Sequence, residues 1–216
     1  MGRFVRGLGW TFLGTGAFVL YLLVYHLVGT NTAADSAQAD LRRSLERQWA
    51  SGGPFAAASP TAPASSQRVP RGQAVALIQI PKIGVERVVV EGVGRADLRK
   101  GPGHVPSTVL PGQAGTLAVS GHRTTYGAPF YRLDELRKGD QILIATRSRL
   151  FTYAVSRTAI VLPADVWVLG NIPGPGGKPK PTITLTTCNP RFSARQRLIV
   201  FGDLVASVPN RSATAA

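Results

Sequence analysis

From Gly7 to Gly29 the chain reads GLGWTFLGTGAFVLYLLVYHLVG, 23 residues without a formal charge. At about 1.5 Å per residue, one helix of this length spans the roughly 30 Å hydrocarbon core of a bilayer. Arg3 and Arg6 precede the run, so the N-terminus is expected in the cytoplasm and the remainder outside. Trp10, Tyr21 and Tyr25 lie towards its two ends, where amphipathic rings anchor at the interface. Ala33 and Ala34 follow it, as small residues do at a signal-peptide cleavage site. The run outlasts an ordinary signal h-region, however, so an uncleaved single-pass anchor over 7–29, behind a cytoplasmic segment 1–6, is expected. His26, near the outer end with no second ionisable group beside it, reads as an interfacial ring rather than a functional one.

Beyond the anchor the pattern changes three times. Leu41, Leu45 and Trp49 share one face of a helix-forming stretch, which reads as a juxtamembrane stalk within 30–50. Residues 51–73 are dominated by Ala, Ser, Pro and Gly, a linker that cannot bury a core. From 74 to 207, β-rich runs alternate with turn signals: Ala76–Ile80, Val85–Val90, Thr116–Ser120, Gln141–Thr146, Leu150–Arg157, Thr158–Leu162, Thr182–Thr187 and Leu198–Val205. Leu133–Lys138 and Ala164–Leu169 can each supply a helical turn. Eight short strands with few helices predict an all-β barrel or sandwich, followed by a disordered tail at 208–216.

Composition excludes several functions. One cysteine forms no internal disulfide, CxxC redox pair or four-cysteine zinc site. The net charge of +14 comes mostly from arginine, which GC-rich codon usage favours. A basic surface suits anionic lipid or acidic wall polymer. No zinc-finger, RNP or basic-helix pattern accompanies it, so nucleic acid is not an expected partner.

Three residues of the β-rich domain are candidates for chemistry. Cys188 ends the run TITLTTC and precedes the turn signal Asn189-Pro190, where a thiol is reachable. A lone cysteine is commonly inert packing, whereas an unpaired thiol outside the membrane is a liability unless used, so both readings stay open on these residues alone. His122 follows Gly121 at the end of the run Thr116–Ser120, placed for acid or base work or held as a loop histidine. Arg197 opens the run after Cys188 and can face it across two neighbouring strands. His104, in the turn-rich Gly101–Pro106, reads as structural.

Taken together, these segments resemble the sortases, cysteine transpeptidases of Gram-positive cell surfaces. Thr184–Cys188 (TLTTC) matches the TLxTC signature, Arg197 in QRLIV matches the arginine of the following strand, and Ser120–Arg123 (SGHR) matches the histidine segment. HRTTYGAPF at 122–130 looks most like class E, the housekeeping sortases of actinobacteria. The resemblance implies a closed eight-stranded β-barrel with Cys188 and Arg197 on adjacent strands and His122 opposite. It further implies a sorting-signal peptide of LAxTG or LPxTG type, cleaved between Thr and Gly through a Cys188 thioacyl enzyme. An amine of a lipid-linked peptidoglycan precursor would resolve that intermediate. Thr187, beside the nucleophile, and Tyr126, after His122, are expected to contact the sorting signal. Asp134 or Asp140 can approach His122 in space, and neither flanks it in sequence.

The pattern departs from other sortase classes in two ways. There is no aromatic Asp-Pro lid upstream and no second membrane-length run, which argues against pilus polymerisation. The segment Pro163–Pro181 has Asp165 as its one carboxylate, too few hard ligands for calcium. No metal or cofactor is expected. Two other readings compete: a non-catalytic, membrane-tethered basic barrel that binds wall polymer or a partner protein, and a different exported cysteine hydrolase or L,D-transpeptidase. The latter sets its cysteine in a Ser-His-Gly-Cys context, whereas Cys188 follows Thr-Thr.

Overall fold

Short β-branched runs, alternating inward and outward residues, need a partner on each edge, and here they find one by closing on themselves. The computed structural model describes residues 2–51, 69–172 and 175–210, the side chains of 4, 5, 8, 23–29 and 175 excepted. Its strands are β1 (Ala74–Ile80), β2 (Val85–Glu91), β3 (Gly103–His104), β4 (Thr116–Ser120), β5 (Gln141–Ala145), β6 (Arg149–Val161), β7 (Thr182–Asn189) and β8 (Gln196–Pro209). They form a closed eight-stranded barrel in the order β1-β2-β3-β4-β7-β8-β6-β5. The β2–β3 and β4–β7 pairs are parallel, and the other pairs are antiparallel. Inside lie Ile78, Leu117, Val119, Phe130, Ile142, Ile144, Ile183, Leu185 and Val200, all buried.

The barrel is of the expected class, but its eighth strand differs from the one the sequence suggests. Leu150–Arg157 and Thr158–Leu162 are one continuous β6, with a register shift against β8 between Val155 and Arg157. A shift of register bends a strand without ending it, so the local pattern there looks like a turn. The eighth strand is instead β3, two residues inside a Gly/Pro stretch that reads as a loop. His104 of β3 is buried there, with Nδ1 2.6 Å from Glu91 Oε2, in a structural role. The two helical turns are short 3-10 segments, Leu133–Glu135 and Val166–Leu169. Strand β8 runs to Pro209, into the expected tail. Linker residues 52–68, residues 173–174 of the β6–β7 connection and tail residues 211–216 lie outside the described residues.

The N-terminal run and the helix expected after it form one helix, α1 (Gly2–Ala50). Among the described residues no helix is long and apolar enough to cross a membrane, and side chains 23–29 of the apolar run are outside that description. The C-terminal half of α1 lies on the barrel rather than standing free of it. Ala34, Gln38, Leu41 and Leu45 are buried, with the spacing of one helix face. Leu41 and Leu45 pack on Leu77, Val88, Val90 and Ala145, an apolar patch on the outer surface of β1, β2 and β5.

Gln38 makes the polar part of this contact. Strand β3 is too short to pair with the whole of β2, which leaves the Val88 peptide facing outward from the ladder. The Gln38 amide takes the place of a strand there: Val88 N–H donates to Oε1 (2.7 Å), and Nε2 donates to the carbonyls of Val88 (3.0 Å) and Lys100 (2.7 Å). Gly101 allows the approach, since a Cβ at that position would overlap the amide. Replacing Gln38 by Ala is expected to destabilise the full chain by about 1–3 kcal/mol, the cost of two buried peptide groups losing their partners. Chemical denaturation in detergent, followed by tryptophan fluorescence, measures it.

Candidate active site

Successive residues of a strand point to opposite faces, so parity sorts β4, β7 and β8 into an inner and an outer set. Leu117 and Val119 of β4, Ile183 and Leu185 of β7, and Leu198 and Val200 of β8 are in the interior core. Ser120, Thr186, Cys188 and Arg197 therefore belong to the outer face. Cys188 and Arg197 are direct partners in the β7–β8 register, and side chains so paired have Cβ atoms about 4.5–5.5 Å apart. Strand β4 runs parallel to β7 on its other side, with Ser120 opposite Thr186, and Gly121 N–H continues the ladder to the Thr186 carbonyl (3.0 Å). Two residues further along each chain come His122 and Cys188. The structure thus brings His122, Cys188 and Arg197 to one end of one face.

Cys188 is a free, half-buried thiol. The Arg197 guanidinium is held by its own loop, donating from Nη1 to the carbonyls of Ala194 and Gln196, both at 3.0 Å. His122 is half-buried, with Tyr126 tilted against it at a centroid separation of 5.0 Å. Burial and, second, the nearby positive charge of Arg99 disfavour the imidazolium, so the His122 pKa lies below its ordinary value. Arg99 itself lies 5.6 Å from the centre of the Tyr126 ring.

Thr187 does not line this face. By parity it points inward; it is 3% exposed, and its hydroxyl donates to the Gly121 carbonyl at 2.8 Å. Its side chain braces the turn that carries His122 and is turned away from the face that carries Cys188. Neither candidate carboxylate is bound to His122. Asp134 pairs with Arg123 (3.1 Å) and Arg191 (3.0 Å), and Asp140 accepts from the Arg137 amide (2.7 Å) and faces Lys82 (3.7 Å).

Arg123 is a residue that sequence reasoning passed over. It is 4% exposed and donates from Nη1 to the Cys188 carbonyl and to Asn189 Oδ1, both at 3.2 Å, while Nη2 meets Asp134. The Cys188 peptide is thereby tied to the residue after His122. Its adjacency to His122 was the available signal. Arg99 had none, because its place at the site comes from the loop between β2 and β3.

The β6–β7 connection walls one side. Thr116 Oγ1 donates to the Gly170 carbonyl (2.8 Å) and Thr184 Oγ1 to that of Val168 (3.2 Å), fastening it to the outer face. Val168 packs on Ile199 and Phe201 there, while Val166 and Trp167 stay exposed. Among the described residues no cluster of His, Cys, Asp or Glu could hold a metal ion.

A sortase-domain family model matches residues 78–205, the segment that contains all three of these groups, and the chain belongs to the sortase family. Sortase SrtE1 of Streptomyces coelicolor is 33% identical over 214 residues, covering 94% of this chain and 58% of SrtE1. This chain therefore spans little more than half the length of that relative. Sortase D of Bacillus subtilis is 31% identical over 206 residues, covering 94% of this chain and 96% of its own. The solved structure of sortase E from Streptomyces avermitilis superposes with a TM-score of 0.58 at 36% identity, covering 65% of this chain and 93% of that one. The sortase E likenesses agree with the class E expectation.

Removing the Arg99 charge should raise the His122 pKa towards its ordinary value, because a cation that opposes the imidazolium is gone. Titration of the His122 ring by NMR is expected to move to higher pH in Arg99→Gln and to return in Arg99→Lys. An unchanged titration in Arg99→Gln would leave burial as the whole cause.

Proposed function

We propose that this protein is a membrane-anchored class E-type sortase. It cleaves an LAxTG or LPxTG sorting signal between Thr and Gly and joins the new carboxyl end to an amine of a lipid-linked peptidoglycan precursor. The observation that carries the reading is the direct β7–β8 pairing of Cys188 with Arg197, with His122 leaving the parallel strand on the other side of β7. A nucleophile, a permanent cation and a proton carrier on one face are what acyl transfer needs.

Cys188, as thiolate, attacks the threonine carbonyl carbon, and the oxygen takes up the negative charge. Arg197 stabilises that oxyanion; for this its guanidinium swings from the Ala194 and Gln196 carbonyls to the substrate. Imidazolium His122 protonates the departing glycine nitrogen as the C–N bond breaks, leaving a thioester and a neutral imidazole. The incoming amine then attacks the thioester, His122 takes its proton, and the thiolate leaves. Exposed Val166 and Trp167 offer apolar surface to the leucine of the signal, and Tyr126 borders the site beside His122. The uncharged run 7–29 supplies the anchor, which puts the catalytic domain on the outer surface with its surface-protein substrates.

The test uses full-length protein in detergent with LAxTG and LPxTG peptides, with and without a glycine-based amine, read by mass spectrometry. A thioester on Cys188 that becomes an amide when amine is added is the expected result, absent in Cys188→Ala. No adduct from folded protein would reject the sortase reaction in favour of a binding module. Arg197→Ala is expected to lose about 10²–10³-fold in kcat, the weight of one oxyanion donor. Arg197→Lys keeps the charge without the planar fork and should lose less.

A further inference from the structure

The loop that follows His122 has an unusual backbone. Tyr126, Gly127 and Ala128 have φ values of 52°, 73° and 41°, so three consecutive residues are left-handed and two of them carry a Cβ. Such residues persist where the surroundings hold them in place. Within the loop, Ala128 N–H donates to the Thr125 carbonyl (2.9 Å) and Phe130 N–H to that of His122 (3.2 Å). From outside, Gly127 N–H donates to the side-chain Oδ1 of Asn31 in α1 at 2.9 Å, across 96 residues of sequence. Between this loop and the start of β2 lies a cavity of about 160 Å³, lined by Ile83, Arg87, Gly127, Ala128, Pro129 and Tyr131.

Asn31 lies on the same helix as several contacts to the barrel. Four residues on, Asp35 pairs with Arg87 of β2 at 3.3 Å. Seven residues on, the Gln38 amide is bonded to Val88 and Lys100, and Leu41 and Leu45 fill the groove beyond. Gly127 N–H thus meets an acceptor whose place is set by the docked helix, and the residue just before Gly127 is the one whose ring lies against His122.

We propose that Asn31 is a positioning residue: by holding the Gly127 amide it keeps the Tyr126 ring against His122 and so fixes the orientation of the imidazole. Freed of that bond, Tyr126 relaxes out of the left-handed region, its ring leaves His122, and the imidazole loses the neighbour that limits its rotation. Proton transfer then slows, and because the Tyr126 ring borders the site beside His122, the fit of the bound peptide changes with it. The contact stands independently of function; its effect on rate rests on the sortase reading.

The experiment compares wild-type full chain in detergent micelles with Asn31→Ala and with Asn31→Asp, which keeps an acceptor oxygen. Hydrogen exchange at the Gly127 amide and the ring-proton shifts of His122, one of three histidines and assigned with His122→Gln, read the contact without turnover. Peptide kinetics read the consequence. Expected for Asn31→Ala are faster Gly127 exchange, a shift of the His122 signals and a fall in kcat of about three- to tenfold, the weight of one exposed hydrogen bond. KM should rise by no more than kcat falls, as the Tyr126 ring shifts, and the melting midpoint should stay unchanged, since no core group is lost. Asn31→Asp should recover most of each. Wild-type exchange and His122 shifts in Asn31→Ala would overturn the proposal, as would an unchanged kcat once those signals have moved. A fall in kcat that tracks the melting midpoint and is not recovered by Asn31→Asp would also overturn it, in favour of a purely structural role. Absence of turnover in the wild type would reject the sortase reading instead, and the exchange and shift data would still decide the contact.

Discussion

The β4–β7–β8 ladder is the constraint on which the site depends. Strand geometry gives each residue one of two faces, and register gives each residue one neighbour. Cys188 opposite Arg197, and Ser120 opposite Thr186, are consequences of two pairings, one antiparallel and one parallel. A slip of one residue in either would turn a functional side chain into the core and bring a leucine or valine out. Ile183, Leu185, Leu117, Val119, Leu198 and Val200 all resist that slip, since each would leave the interior. The packing energy of the barrel thereby sets the geometry of the chemistry.

Around the ladder, buried polar contacts convert approximate placement into fixed placement. Thr187, turned inward, ties β7 to the Gly121 carbonyl just before His122. Arg123, just after it, reaches the Cys188 carbonyl, the Asn189 side chain and Asp134. The histidine turn is therefore pinned to β7 on both sides. His122 and Cys188 stay near the surface, whereas Thr187 and Arg123, which hold their backbone, are buried.

The docked half of α1 adds a second layer. It covers an apolar patch on the outside of β1, β2 and β5, completes the exposed edge of β2 through Gln38, and reaches the loop after His122 through Asn31. A helix that contains the uncharged run 7–29 thus ends as part of the barrel's wall, and residues 30–50 belong to the domain, with little of the independence of a stalk.

Local pattern was enough for most of the strands and for an all-β class, and the family resemblance for the closed barrel, although β6 read as two strands at its register shift. It was not enough for β3, whose two residues are held by pairing on both sides rather than by any propensity of Gly103 and His104. Nor did it separate Thr187 from Cys188 as inward and outward neighbours, although the alternation of Ile183 and Leu185 contained that answer once the strand's inner face was known. The chain by itself determined which residues carry reactive groups and which segments become strands, since those follow from side-chain chemistry and period. Only the tertiary structure decided that Arg99, Arg123 and Asn31 belong beside them. Their places come from a loop, from hydrogen bonds to the Cys188 carbonyl and the Asn189 side chain, and from a docked helix, and contacts between residues tens of positions apart leave no local period to read.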